Sequence, residues 1–467
     1  MRLARLLPAF IGLICFTSGT ALAAASDSDH AQKTFEIYKH IVEIDSSKTS
    51  GGAPAVAHYL ADQLLAAGFP KEDVQVVMTD GVPALIARLR GDSFSGKKPI
   101  LILGHMDVVE ANPADWERPP FTLTEDDTHY FGRGSEDDKF GIAQATATFI
   151  RLKKEGFVPN RDIYLAFSGD EETGMVSTKM LAAHPVLSTA EYALNTDAGG
   201  GMLEADGTPV AYGVQAAEKT YATWEVTATN PGGHSSRPRP DNAIYDLADA
   251  IRKIQAHRFP VRWSDMTLNY FRETGQKVGG ELGAAMIAFA DNPEDTAASD
   301  RLWTESSYVG TTRTTCVVTM LRGGHAENAL PQSATATVNC RIFPGVKVAE
   351  VEQVLKKVVA NDKLEFKILG DADASPISEP RADVMAAVAK AVHARYPGLK
   401  LIPYMESGGT DGKQFRKNGI PTWGVSSLFM DPNEMYAHGL NERVTKAAFT
   451  GALDHWSIIL KTLAGGK

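Results

Sequence analysis

Between His30 and Gly68 apolar residues recur at helical spacing, and the run "VAHYLADQLLAAG" ends in a glycine that closes a helix. Short apolar runs of strand length follow: "VQVVM", "PALIARL" and "KPILILGHMD". A helical run, "FGIAQATATFIRLKKEG", leads to the apolar "DIYLAF"; a further helix is expected around "STKMLAAH", before "AEYALNTDAGGG". Strands alternating with helices, with polar loops on the C-terminal side of the strands, predict an α/β sheet.

The texture changes near Ala216. "TYATWEVTAT" alternates, "NPGGHSSRPRP" is a Pro/Gly loop and "NAIYDLADAIRKI" is an amphipathic helix. From His257 to about Gly310 the pattern is less regular. Two strands, "TTCVVTML" and "ATATVNCRIF", come next, then a helix, "AEVEQVLKKVVA", and a strand, "LEFKIL". Helices and antiparallel-type strands of this kind predict an α+β module over residues 216–370. The α/β character resumes with "ADVMAAVAKAVHARYPG" and "PTWGVSS". Residues 24–215 and 371–467 are thus expected to form one α/β domain with a mostly parallel sheet, interrupted by the insertion.

The N-terminus changes the expected address. "MRLAR" is basic, "LLPAFIGLICF" is apolar, and Ala21-Leu22-Ala23 is a small-residue cleavage pattern. Residues 1–23 therefore read as a secretory signal cut after Ala23, because the apolar run is shorter than the roughly 20 residues a membrane span needs. The mature chain is expected in a periplasm or the medium, with no span of its own. Without the signal, two cysteines remain, Cys316 and Cys340. An oxidising compartment permits a disulfide; two buried free thiols fit the sequence equally well. The net charge of −10 argues against nucleic acid as a partner.

One stretch needs a chemical explanation. In "FSGDEETG" three adjacent acids, Asp170, Glu171 and Glu172, follow a buried-type strand. Like charges repel there unless something positive relieves them. Other metal-type residues also stand at strand ends or in late loops: His105 and Asp107 around Met106, Asp137 in "GRGSEDDK", Asp197 ending "YALNTD", and His438 in "MYAHGLNE". Such positions gather in one crevice of an open α/β sheet. Two histidines and three carboxylates can hold two divalent cations with one carboxylate between them. Zinc suits these donors, and cobalt or manganese is compatible. His105-x-Asp107 places both side chains on one strand face, so Asp107 can support the ring nitrogen that His105 does not use for metal. One of Glu171 and Glu172 can bind metal while the other faces the bridging water and moves its proton.

The fragments "HMDVV", "GRGSEDDK", "SGDEETG", "NTD", "PGGHSSRP", "ENALPQSATATVNCR", "GGTDG" and "AHGLNE" occur in an order that resembles the M20 metallopeptidases over nearly the whole mature chain. That family includes aminoacylases, dipeptidases, tripeptide aminopeptidases, glutamate carboxypeptidases and deacylases. The resemblance implies a di-zinc hydrolase in which Asp137 bridges, His105 and Asp197 hold one ion, and Glu172 and His438 hold the other. It implies that Glu171 is the general base for attack by a metal-bridging hydroxide, that Asp107 stands behind His105, and that the Asp137–Asp138 peptide is cis. The insertion resembles a lid that commonly carries a dimer interface. There His234 would stabilise the oxyanion, and Asn328 and Arg341 would hold substrate, together with Gly409 and Thr410 of the catalytic domain. Aspartate rather than glutamate at position 197 is the form seen in aminopeptidases, dipeptidases and aminoacylases. Dipeptides or short peptides are therefore the expected substrates, with N-acyl amino acids as the alternative.

Overall fold

The computed structural model describes residues 18–92 and 95–465. Most of the expected signal, residues 1–17, lies outside them, and the first helix runs Ser18–Val42. Among the described residues no helix is long and apolar enough to cross a membrane.

A ten-stranded sheet forms the larger body. Its centre is parallel: Ile163–Ser168, Ile100–His105, Tyr192–Asn195 and Thr422–Gly424 lie side by side in that order. Ile100–His105 and Ile163–Ser168 are buried at every residue, which is why both read as unbroken apolar runs rather than alternating ones. Their side chains divide between two cores. Ile102 and Leu165 face the helix Lys139–Lys154 with Phe149, while Leu101, Leu103 and Ala166 face Leu181 and Phe415. Val82–Leu89 on one side and Pro209–Glu218 on the other join this centre antiparallel, and Leu401–Glu406 then pairs parallel with Pro209–Glu218, so the sheet is mixed. Register pairs His105 with Ser168 and Leu103 with Asn195, bringing the carboxyl ends of three strands to one rim.

Within residues 216–370 the chain forms a second, antiparallel sheet of Thr315–Gly323, Ser333–Ile342, Thr220–Thr229 and Glu365–Leu369. Helices Ala243–Ala256 and Val348–Val359 cover one face, packing Leu247, Ile254, Val351 and Leu355 on Trp224, Val226 and Val338. Cys316 and Cys340 are directly opposite one another in this sheet and form a disulfide. Closing a loop of 24 residues restricts the unfolded chain and stabilises the fold by about 3 kcal/mol.

The stretch after His257 is more ordered than its pattern suggests. It folds as four helices, Asp265–Val278, Gly280–Asp291, Thr296–Trp303 and Ser306–Thr312. Ser264 and Thr267 form a reciprocal cap at the first, and the Asp295 side chain accepts the Ala298 N–H at the third. Phe271, Met286, Phe289 and Leu302 make a small core of their own. The last two helices, of eight and seven residues, are too short to show a sustained period, and Gly279-Gly280, both at positive φ, separates the first two.

Candidate metal centre

The strand rim gathers the acids and imidazoles. His105, the last residue of its strand, directs Nε2 to Asp137 Oδ1 at 2.8 Å and to Asp197 Oδ1 at 3.6 Å. His438 directs its Nε2 to Glu172 Oε1 at 2.8 Å and to Asp137 Oδ2 at 3.1 Å. The two oxygens of Asp137 therefore face different imidazoles. Three overlapping sets have donor atoms within 4.8 Å of one another: His105, Asp137 and Asp197; Asp137, Glu172 and His438; and His105, Glu171 and Glu172.

The electrostatics of this donor set fit divalent cations. Burial alone would lower the His105 pKa, but Asp197, Asp107 and Asp137 override it and raise it well above the usual imidazole value. Hydrogen bonds to Asp137 and Glu172 raise His438 to about 10. For Asp137, burial pushes upward, and the two imidazoles outweigh it and hold its pKa below the ordinary carboxylate value. Asp197 is pushed well above the ordinary value by burial, with Asp137 and Asp138 adding repulsion against the pull of His105. Carboxylates crowd both Nε2 atoms so closely that the centre demands positive charge, and a proton on each ring meets only part of that demand.

The acidic octapeptide divides its three carboxylates among different tasks. Asp170 points away from the rim: it accepts the Val176 and Ser177 N–H groups at 2.7 and 3.0 Å and so caps the helix Val176–Ala183. Glu172 reaches His438. Glu171 keeps an edge on the cavity in front of the rim. Burial nevertheless pushes its carboxyl well above the usual range; His105 opposes that shift, while Asp197, Asp411 and Glu172 reinforce it.

Asp107 does more than stand behind an imidazole. His105 Nδ1 lies 3.0 Å from the Asp107 backbone carbonyl and 3.6 Å from its carboxylate. That carboxylate accepts the N–H of Glu171 at 3.0 Å and of Glu172 at 3.1 Å, clamping the turn that carries both glutamates. The Asp137–Asp138 peptide is cis. Asp138 turns inward, accepting from Thr196 Oγ1 at 2.6 Å and the His105 N–H at 3.3 Å. Its carboxylate needs the space left by two glycines: a Cβ at Gly104 would lie 2.7 Å from one oxygen, and a Cβ at Gly141 would lie 2.2 Å from the other.

Two further acids support the rim. Glu442 is fully buried; it pairs with Arg133 at 2.5 Å and accepts the N–H groups of Gly134, Glu136 and Asp137 at 2.8–3.1 Å. It thereby fixes the backbone that aims Asp137. Asp411 accepts from Ser168 and Thr178 hydroxyls at 2.7 and 2.5 Å and is raised by burial to about 6. The signal for Glu442 was present in the sequence as the pairing of an arginine in "GRG" with an acid in "GLNE", but nothing local joins residues so far apart.

The expected substrate residues separate into two groups. Gly409 and Thr410 line the cavity, and the Thr410 N–H is held by the buried Glu218 carboxylate at 2.8 Å. Arg341 donates to the Ser407 carbonyl at 3.2 Å, at the start of the same loop. His234 and Asn328 sit together on an exposed two-stranded ribbon, where the Asn328 carbonyl accepts the Ser235 N–H. Neither of these, nor Arg341, lines the cavity. The cavity itself has a volume of about 550 Å3. It begins at Asp137, Glu171, Glu172, Asp197 and His438 and continues past Met202, Ile402, Tyr404, Leu428 and Met430.

The chain is similar to known proteins in sequence and in fold. The model of peptidase family M20/M25/M40 matches residues 101–462. The N-fatty-acyl-amino acid synthase/hydrolase PM20D1 of Xenopus tropicalis is 28% identical over 359 residues, which are 75% of this chain and 69% of that one. The M20 family metallo-carboxypeptidase Sso-CP2 of Sulfolobus solfataricus shares the fold with a TM-score of 0.72 at 20% identity, over 92% of this chain and 99% of that one. The dipeptidase Dug1p of Saccharomyces cerevisiae does so with a TM-score of 0.71 at 16% identity, over 96% and 99%.

Proposed function

The chain belongs to peptidase family M20/M25/M40, and from that premise we propose that it hydrolyses the amide bond between an apolar acyl group and an amino acid. The observation that carries this reading is the cavity: a cluster of acids and imidazoles opens directly onto a largely apolar recess containing Met202, Ile402, Leu428 and Met430. An N-acyl amino acid presents such an acyl group, and so does a dipeptide with an apolar first residue. The PM20D1 relative, named for N-fatty-acyl-amino acids, supports the first form.

In this reading His105 and Asp197 would hold one divalent ion and Glu172 and His438 a second, with Asp137 shared between the two sets. The ions, zinc or else cobalt or manganese, would polarise the scissile carbonyl and acidify water beside it. Glu171 takes the proton of the attacking water and delivers it to the leaving amine, a role suited to a carboxyl whose proton affinity burial has raised. Asp107 keeps Glu171 and Glu172 in place through their backbone N–H groups. The loop through Gly409 and Thr410 lines the cavity and would position the amino-acid end of the substrate; Arg341 would act through that loop, whose start it holds at the Ser407 carbonyl.

His234 and Asn328 act on this centre only when supplied by a second copy or by movement of the module that carries them. We read residues 216–370 as a lid and the protein as a homodimer through it. Val317, Met320 and Leu321 are exposed on the edge strand Thr315–Gly323, a surface that a second edge strand would cover. We also read the chain as exported. A dimer in sedimentation and a mature mass lacking residues 1–23 are the expected results.

The activity test sets purified, metal-loaded enzyme against N-acyl amino acids and dipeptides in one panel. Apolar acyl groups should be released at least tenfold faster than acetyl or charged ones. Hydrolysis of neither series, or a preference for charged acyl groups, removes the reading.

A further inference from the structure

Two tyrosines of the cavity lining come from separate parts of the chain. The strand Leu401–Glu406 pairs with Pro209–Glu218 at the far side of the large sheet and places Tyr404 in the cavity. The Tyr404 hydroxyl accepts the N–H of Gly199 at 3.2 Å, two residues on from the donor Asp197. Tyr270 lines the same cavity beside it, its ring centroid 6.4 Å from that of Tyr404. Tyr270 does not come from the large sheet or from the second sheet. It is carried by the helix Asp265–Val278, first of the four helices that follow His257.

Those helices lean on the large sheet as well as on one another. Lys400, just before the strand of Tyr404, is ion-paired with Glu273 one turn along from Tyr270. Phe271, the next residue, is fully buried in the helical core against Phe289, at 5.3 Å between ring centroids. Tyr270 is therefore held from both sides, with its ring partly open to the cavity. An aromatic ring fixed by neighbours on its own helix, with its free surface facing an apolar recess, limits what can lie there.

We propose that Tyr270 is a specificity-determining residue: its ring is the end stop of the acyl recess, so that the four-helix segment sets the longest apolar group the enzyme accepts. This rests on the reading of the cavity as an acyl site. Methylenes that lie between the metal centre and Tyr270 are buried and gain affinity, by about fourfold each. Methylenes beyond Tyr270 gain none.

Straight-chain alkanoates from acetate to palmitate serve as probes, because their binding to the metal-loaded enzyme can be measured by calorimetry without any turnover. In the unaltered protein, affinity should climb with chain length and then level off. Tyr270→Ala should move the plateau to chains at least two methylenes longer, and Tyr270→Trp to shorter ones. Tyr270→Phe should leave the plateau where it is, and all three variants should bind acetate within about twofold of the parent. The same plateau in Tyr270→Ala, Tyr270→Trp and parent overturns the end stop. So does a loss of affinity at every length, which would mark Tyr270 as merely structural. No rise with chain length in any of the proteins defeats the acyl reading itself, and the end stop with it. Hydrolysis of the matching N-acyl amino acids should follow the same order in kcat/KM.

Discussion

Glu171→Gln is expected to lower turnover by a factor of about 10^2–10^4 while both metal ions stay bound. The substitution keeps the size and shape of the side chain and removes its ability to take a proton. The turn that carries residue 171 is clamped by Asp107 through backbone N–H groups, not through the Glu171 side chain, so it should not move. Glu172, beside it, keeps its contact with His438. A general base explains why a carboxyl should be placed where burial, Asp197, Asp411 and Glu172 all make ionisation costly: such a group gives up its proton to a leaving amine and takes one from water at similar cost. Single-turnover rates on the preferred substrate, with metal content by elemental analysis, check this. Turnover within tenfold of the parent would show that another group moves the proton. A variant that loses metal would instead place Glu171 among the ligands, an outcome the donor set His105, Glu171 and Glu172 makes worth measuring.

How much of this was readable in the chain depends on whether the cause was local. The central strands announced themselves because burial on both faces leaves unbroken apolar runs, and the polar residues that follow them then had to share one rim. Asp137 and His438, some 300 positions apart, were expected at that rim from the segments "GRGSEDDK" and "MYAHGLNE", and their roles toward metal came from the family resemblance. The roles of Asp170 and Asp107 were hidden because each is set by backbone N–H groups that only the folded turn brings forward. Glu442 was hidden for a related reason: its ligands are the N–H groups of Gly134, Glu136 and Asp137, and backbone carries no letter in the sequence. The antiparallel pairings in the large sheet follow from how distant strands meet. Of the four helices after His257, the last two have only eight and seven residues, too few turns for a period to stand out, and Gly279 and Gly280 interrupt the first two. The disulfide was left open by the sequence, since strand-like runs allow pairing without setting the register that puts Cys316 opposite Cys340.

Asp137→Ala should cost the enzyme both ions and its activity, the widest effect expected of any single substitution in the chain. Oδ1 of Asp137 is 2.8 Å from the Nε2 of His105 and Oδ2 is 3.1 Å from that of His438, so this one carboxylate belongs to two donor triads. Of the two triads assigned to ions, His438→Ala keeps His105, Asp137 and Asp197, and Asp197→Ala keeps Asp137, Glu172 and His438; Asp137→Ala keeps neither and leaves only the set His105, Glu171 and Glu172, in which Glu171 is assigned to proton transfer. His438→Ala and Asp197→Ala should retain about one ion per chain, whereas Asp137→Ala should retain fewer than one under the same dialysis. A second readout does not depend on activity. A ligand present at about a hundred times its Kd stabilises the folded state by about 2.7 kcal/mol per site. Zinc should therefore raise the melting temperature of the metal-stripped parent strongly, that of His438→Ala less, and that of Asp137→Ala scarcely at all. The glycines at 104 and 141 and the buried Glu442–Arg133 pair are untouched by the change, so the rim backbone should persist without the carboxylate. Two ions per chain in Asp137→Ala, or the same thermal response as His438→Ala, would mean that the two imidazoles serve separate sites and that nothing bridges them.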